Sequence, residues 1–351
     1  MSGQLRRRIG FISSEPAGLA ALLLVAALAY CPAAYAEPIP AEENMTAPAD
    51  PAPIPAEGPT SSASAAPATE EQPAEDPLAP SLRVTGSVWR SNPGIVFLQT
   101  PIGVLSLSSK TALRDVKTSH KITLSVNGSN TAVDVRDRRT GSLVHRYLSG
   151  IPRYTSGEKQ DLLLWTPEGD QTFAPGAYAA KIPDDAESPI ALEVSETGTV
   201  KGVHDLQFDL QISQAPKADS QTRMRLHGTI SKLKSSFVFL DTPLGVVTVS
   251  AKTGVRNAKV GQDMTVWIHG DHVAIDLYQG DSAAPVRRFL SGRLVYAASD
   301  KNSVMLWTPE GDKTFQADHR GKSSLASVKE GTPITVELDQ QGEIVEIRRL
   351  N

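Results

Sequence analysis

The chemistry-bearing residues of this chain gather around a seven-residue string that it spells twice, Leu-Trp-Thr-Pro-Glu-Gly-Asp at 164–170 and again at 306–312. Each string sets two carboxylates close together, Glu168 with Asp170 and Glu310 with Asp312. Paired carboxylates are what glycoside hydrolysis uses as acid and as base or nucleophile. The strings also carry Trp165 and Trp307, rings on which a sugar or an apolar ligand could stack. Arg146, in His145-Arg146-Tyr147-Leu148, and Arg288, in Arg287-Arg288-Phe289-Leu290, precede the two glutamates at the same spacing. Each arginine is therefore expected to approach its own glutamate or aspartate, with the tryptophan partly covered where two stretches of chain meet. His269 and His272 are close enough in sequence to share a metal, but the matching segment from Val126 to Thr131 has no histidine. They are read as solvated residues at a hairpin tip, and no metal site is assigned.

Other catalytic signatures are missing. The sequence has no Gly-x-Ser-x-Gly elbow, no Gly-x-Gly-x-x-Gly, no phosphate loop and no His-Glu-x-x-His. No cofactor is expected.

The repeated string also has a structural reading. Thr-Pro-x-Gly occurs four times, starting at Thr100, Thr166, Thr242 and Thr308, each time between two short apolar runs such as Ile95–Gln99 and Val104–Leu107. Proline at the second place of a turn has its φ already set, and glycine at the fourth can take a positive φ. Pro101 with Gly103, Pro167 with Gly169, Pro243 with Gly245 and Pro309 with Gly311 are therefore expected to be hairpin turns. The residue between them is Glu in two cases and Ile102 or Leu244 in the others, so the turn does not require the acid. Alternation then points Leu164 and Leu306 inward and the tryptophans after them outward.

These turns belong to a duplication. Gly86, Thr100, Gly128, Gly150 and Trp165 have counterparts at Gly228, Thr242, Gly270, Gly292 and Trp307, each 142 positions later. Within each copy the glycine-led strand and its turn recur once more, from Gly86 to Gly150. The expected organisation is a first copy over 81–220, with modules at about 83–140 and 145–205, and a second over 221–351, with modules at about 225–282 and 287–350.

A module reads as five short strands, at 84–88, 95–99, 104–107, 122–126 and 132–135, with a looser connection after the third. That glycine-led first strand and hairpin, followed by Lys259-Val260-Gly261-Gln262-Asp263-Met264-Thr265-Val266 as the entry to strand four, resembles the small bacterial OB-fold modules of exported proteins. At Lys117-Thr118-Ser119-His120-Lys121-Ile122 the first copy lacks the entry glycine. The resemblance implies an all-β chain of tandem OB-like β-barrels with a binding or scaffolding role, and it names no ligand.

The amino terminus reads as an export signal. Arg6, Arg7 and Arg8 precede an apolar run over 18–30 and small residues at Ala34-Tyr35-Ala36, which makes 1–36 a signal peptide with cleavage before Glu37. Cys31, the only cysteine, is removed with it, unless it is acylated as a lipid anchor, which is the minor alternative. Residues 37–80 hold 11 prolines and nine acids and no Lys or Arg, the composition of a disordered linker. The chain's net charge of −4 therefore hides a folded part close to neutral, with no basic run to mark a nucleic-acid or membrane-surface binder. The expected protein is a periplasmic or secreted, noncatalytic binder or scaffold, its partner an envelope protein or a polysaccharide, with no transmembrane segment after signal cleavage. The alternative is a carbohydrate- or other ligand-binding protein that uses Trp165 and Trp307, and a hydrolase with an acidic site comes last.

Overall fold

The computed structural model describes residues 79–155, 161–182, 189–216, 220–280, 282–299, 301–317 and 325–350. The signal peptide expected at 1–36 and the linker expected at 37–80 lie outside these residues, apart from Ala79 and Pro80. Those two are not linker in character. The Pro80 carbonyl accepts a bond from Gly128 N–H at 2.8 Å and the Ala79 carbonyl accepts one from Arg225 Nε at 3.1 Å, so the folded part begins two residues earlier than its composition indicates.

The described chain is all-β, its helical structure confined to short 3₁₀ turns at Gly176–Lys181 and Ala251–Thr253 and to residues 325–326. The first copy runs β1 (Ser81–Asn92), β2 (Ile95–Thr100), β3 (Gly103–Ser108), β4 (His120–Asn127), β5 (Asn130–Asp137), β6 (Leu143–Gly150), β7 (Arg153–Tyr154), β8 (Leu162–Thr166), β9 (Gly169–Phe173), β10 (Ile190–Val194), β11 (Val200–His204) and β12 (Gln207–Ile212). The second runs β13 (Arg223–Lys234), β14 (Phe237–Thr242), β15 (Gly245–Ser250), β16 (Asp263–His269), β17 (His272–Leu277), β18 (Arg287–Arg293), β19 (Val295–Tyr296), β20 (Ser303–Thr308), β21 (Gly311–Gln316), β22 (Pro333–Leu338) and β23 (Ile344–Arg349).

The long β1 organises the first module. Leu82, Val84 and Val88 alternate inward along it, the period-2 pattern of a strand buried on one face. Its first half pairs with β4, and its second half, from Ser87 on, pairs with β2 with a register shift between Val88 and Arg90. The strand bends across its neighbours at Gly86, where a Cβ would lie 2.9 Å from Thr100 Cγ2 and 3.0 Å from the Gln99 carbonyl. Only glycine fits that crossing. With β2–β3 and β4–β5 the order is β3-β2-β1-β4-β5. A pairing of β3 with β5, which would close this set into a barrel, is not among the described pairings; the outer edge of β3 is taken by β12 instead.

The second module uses the same order with its first strand broken in two. β6 pairs with β10 and β7 with β8, as the halves of β1 pair with β4 and β2, and β8–β9 and β10–β11 complete the set. Pro152, which has no N–H to donate, stands in the gap between β6 and β7. In the second copy Leu294 fills the gap between β18 and β19, and its N–H is turned to the Thr332 carbonyl at 2.9 Å. β13 to β23 repeat the pairings of β1 to β11 throughout.

Packing divides the chain differently from the four modules expected. The first modules of both copies share one core, in which Leu98, Ile122 and Val133 join Leu226, Leu240 and Ile275. Each second module keeps its own core, around Leu148, Leu164 and Leu192 in one copy and Leu290, Leu306 and Val336 in the other. Two contacts weld the copies, antiparallel pairing of β1 with β13 and parallel pairing of β12 with β15.

Candidate functional site

The four Thr-Pro-x-Gly strings form hairpin turns, and the threonine has a role that spacing alone did not reveal. In every turn its hydroxyl donates to the carbonyl of the glycine three residues on, at 2.9 Å for Thr100, 2.7 Å for Thr166, 2.7 Å for Thr242 and 2.6 Å for Thr308. Gly103, Gly169, Gly245 and Gly311 all have positive φ, the conformation for which glycine was expected.

The glutamates of the two longer strings are held by the arginines named from sequence. Arg146 Nη1 and Nη2 donate to the two oxygens of Glu168, each at 3.0 Å. Arg288 makes the same fork to Glu310, at 2.9 Å and 2.9 Å. A third member was not foreseen. Arg146 Nε and Nη2 also bond Asp134 at 2.6 and 2.9 Å, and Arg288 bonds Asp276 at the same two distances. Asp134 and Arg146 are cross-strand partners on β5 and β6, as Asp276 and Arg288 are on β17 and β18. The arginine thus ties the last strand of one module to the first strand and the hairpin of the next. The signal was present in the register of two strands, and it became visible only once those strands were paired.

The electrostatics follow from this geometry. Bonds from Asp134 outweigh burial and raise the Arg146 guanidinium above its ordinary value. Burial works against the Arg288 charge, and Asp276 with Glu310 overcomes it. Burial likewise pushes the Glu310 carboxyl up, but bonds from Arg288, Thr308 and Lys313 hold it down at about 2. Glu168 is lowered too, Arg146 prevailing over burial. A carboxylate held ionised by a fixed cation is the reverse of a general acid, which needs its proton near neutral pH.

The aspartates of the strings go elsewhere. Asp170 pairs with Arg153. Val295 occupies the corresponding place in the second copy, so the pair is not repeated at Asp312.

Both tryptophans are half-buried against the core of their own module. Trp307 also lies against the tip of the preceding hairpin, its ring centroid 5.4 Å from that of His269 and 6.0 Å from that of His272. His269 is exposed, as expected of a hairpin tip, while His272 is half-buried and its Nδ1 is buried without a hydrogen-bond partner among the described residues; both rings lie against the indole. Among the described residues no three His, Cys, Asp or Glu side chains are grouped to hold a metal. No helix among them is long and apolar enough to cross a membrane.

Sequence reasoning also missed a cluster on the first copy. Glu193 on β10 accepts from His145 at 2.7 Å and from His204 at 3.0 Å, with the buried ring of Tyr147 between the two imidazoles. The bonds from His145 and His204 hold the Glu193 carboxyl down at about 2. In the second copy both histidines are replaced by arginine. Arg287 reaches Glu337 at 3.1 Å, while Arg348 turns to Glu346.

Two clefts open on this frame. The larger, of about 720 Å³, lies where the chain leaves β12, between residues 211–216 and the second copy, and none of the candidate binding residues read from sequence lines it. The smaller, of about 320 Å³, is bordered by Trp307 and Pro309. No protein-family model matches the chain, and no curated protein is significantly similar to it.

Proposed function

We propose that this chain is an exported, noncatalytic protein of the bacterial envelope that binds or scaffolds through four OB-like modules in two fused copies. What supports the reading is the Arg-Asp-Glu joint, made twice with the same atoms. Glu168 and Glu310 are consumed in holding modules together, which leaves surfaces and clefts, not an acid pair, to meet a partner. The OB-like reading is supported by the strand order and by the close approach of β1 to β2 at Gly86. Export rests on the composition of 1–36.

The test uses the mature chain, from Glu37 on, with envelope polysaccharides and envelope extracts. Retention of a ligand with no change in its chain length is the expected result. Depolymerisation that is lost in Glu168→Gln or Glu310→Gln would replace this reading with the hydrolase one.

A second reading, ligand binding at the tryptophan face, is favoured by the cleft beside Trp307.

A further inference from the structure

The smaller cleft differs from everything around it in chemistry. It lies on one face of the β13–β16 ladder, where Arg223 stands opposite His269 and Arg225 opposite Trp267. Residues two apart on a strand share a face, so both guanidinium groups and both rings point to the same side. Trp307 and Pro309, reaching over from the next module, supply an apolar wall. The Arg225 guanidinium lies 5.8 Å from the Trp267 ring centroid, and Arg223 Nη1 donates to the neighbouring Thr222 carbonyl at 3.2 Å. No carboxylate lines the cleft. Trp267 Nε1 is buried and finds no acceptor among the described residues.

The first copy shows what this place looks like without that chemistry. Counting back 142 positions, Trp307 and Pro309 correspond to Trp165 and Pro167, so the apolar wall is kept. Arg223, Trp267 and His269 correspond to Ser81, Ser125 and Asn127. Arg225 keeps its charge as Arg83, so what the second copy alone adds, on a backbone that is otherwise shared, is a second guanidinium, an indole and an imidazole. The fold does not require them.

We propose that the cleft beside Trp307 binds an anionic saccharide, a sugar ring carrying a carboxylate, with the anion at Arg223 and the ring against Trp307 and Pro309. This deepens the second reading above and rests on it. The polar groups lining the cleft are mainly donors: the guanidinium N–H groups of Arg223 and Arg225 and the imidazole of His269. Guanidinium is the group that meets a carboxylate with two parallel bonds. Burial first, then Arg223 and His272, lowers His269, leaving a ring that can donate to or accept from a sugar hydroxyl. A volume of about 320 Å³ is at the small end of ligand sites and suits one or two rings.

The experiment titrates the mature chain with trigalacturonate, with maltotriose as the neutral counterpart and with inorganic phosphate, reading tryptophan fluorescence and calorimetry. Trigalacturonate is expected to bind and maltotriose not to. Arg223→Ala, an exposed change, should weaken binding about tenfold or more. Added salt should reduce the affinity. Equal binding of maltotriose, lost in Trp307→Ala, overturns the anionic assignment and leaves the tryptophan-face reading standing. Equal binding of phosphate alone makes this a bare anion site and overturns the saccharide. No binding of any of the three overturns both this inference and the reading beneath it.

Discussion

Leu82 on β1 stands directly opposite Met224 on β13, and the two are the same position of the two copies, 142 residues apart. The flanking pairs, Ser81 with Arg225 and Arg83 with Arg223, exchange equivalent positions in the same way. The copies therefore meet about a local two-fold axis, like the self-complementary interface of a homodimer. Both central side chains are almost wholly buried in the shared core. Leu82→Ala is expected to cost about 2–5 kcal/mol. Since the two positions are neighbours, Met224→Ala should cost less in the Leu82→Ala background than alone. Denaturant melts of the two singles and the double measure this; strict additivity would show that the residues do not share a seam.

Arg288 should matter far more than the acid it holds in solvent. Removing its side chain strands Asp276, whose side chain is 2% exposed, and breaking a buried pair from one side costs about 3–5 kcal/mol. Glu310 is about half exposed, so Glu310→Gln should cost only about 0–1 kcal/mol. Arg146→Ala in the first copy should fall between, because Asp134 is more open and has Arg136 at 3.6 Å as a substitute partner. Thermal melts of the three variants give the order, and a Glu310→Gln loss equal to that of Arg288→Ala contradicts it.

The Thr-Pro-x-Gly turns should be sensitive at both ends. Gly311→Ala forces a side chain into a φ of +111° and is expected to destabilise by about 1 kcal/mol or more. Thr308→Val keeps the shape but deletes the hydroxyl bonded to the Gly311 carbonyl, inside a fully buried site, for about 1–3 kcal/mol. If Gly311→Ala proves neutral, the turn geometry is wrong.

Acid should unfold the first copy through Glu193. Its carboxyl sits at about 2 when folded, against 4.5 ordinarily, so between those values the unfolded chain binds the extra proton. The stabilisation is then full above about pH 4.5 and fades as pH falls towards 2, by an amount on the order of 3 kcal/mol. Glu337, raised by burial with Arg287 only partly opposing, has the opposite sign: its burial favours the folded state at low pH and less so as pH rises through the carboxylate range. Stability measured from pH 5 to 2 should fall less steeply in Glu193→Gln than in the parent. A slope unchanged by that substitution would count against the His145–Glu193–His204 cluster.

Much of the fold was legible because its signals are local. Thr-Pro-x-Gly marked four turns, and alternation marked β1 to β5. What was hidden depends on which strands become neighbours. Asp134 and Asp276 gave no sign of their arginines until β5 met β6 and β17 met β18. His145, Glu193 and His204 are far apart in sequence and touch only through β6, β10 and β11. The shared core of the first modules was equally out of reach, since nothing in either copy read alone says that β1 will lie against β13. That His269 and His272, at the tip of the β16–β17 hairpin, lie against Trp307 was out of reach for the same reason, since that ring is 38 and 35 positions further on.

The strand β12 lies antiparallel along the whole edge of β3 and parallel to Thr248 and Val249 of β15. Under the local two-fold, a twin of β12 would have to occupy that same edge of β3, which is already full. Two separate polypeptides of the repeated unit, docked through Leu82 and Met224, would therefore compete for one slot. Covalent fusion removes the contest by deciding in advance whose strand is inserted. The duplicated protein is in this sense a lopsided pair, and its halves are not interchangeable parts: swapping their order along the chain would yield a different seam.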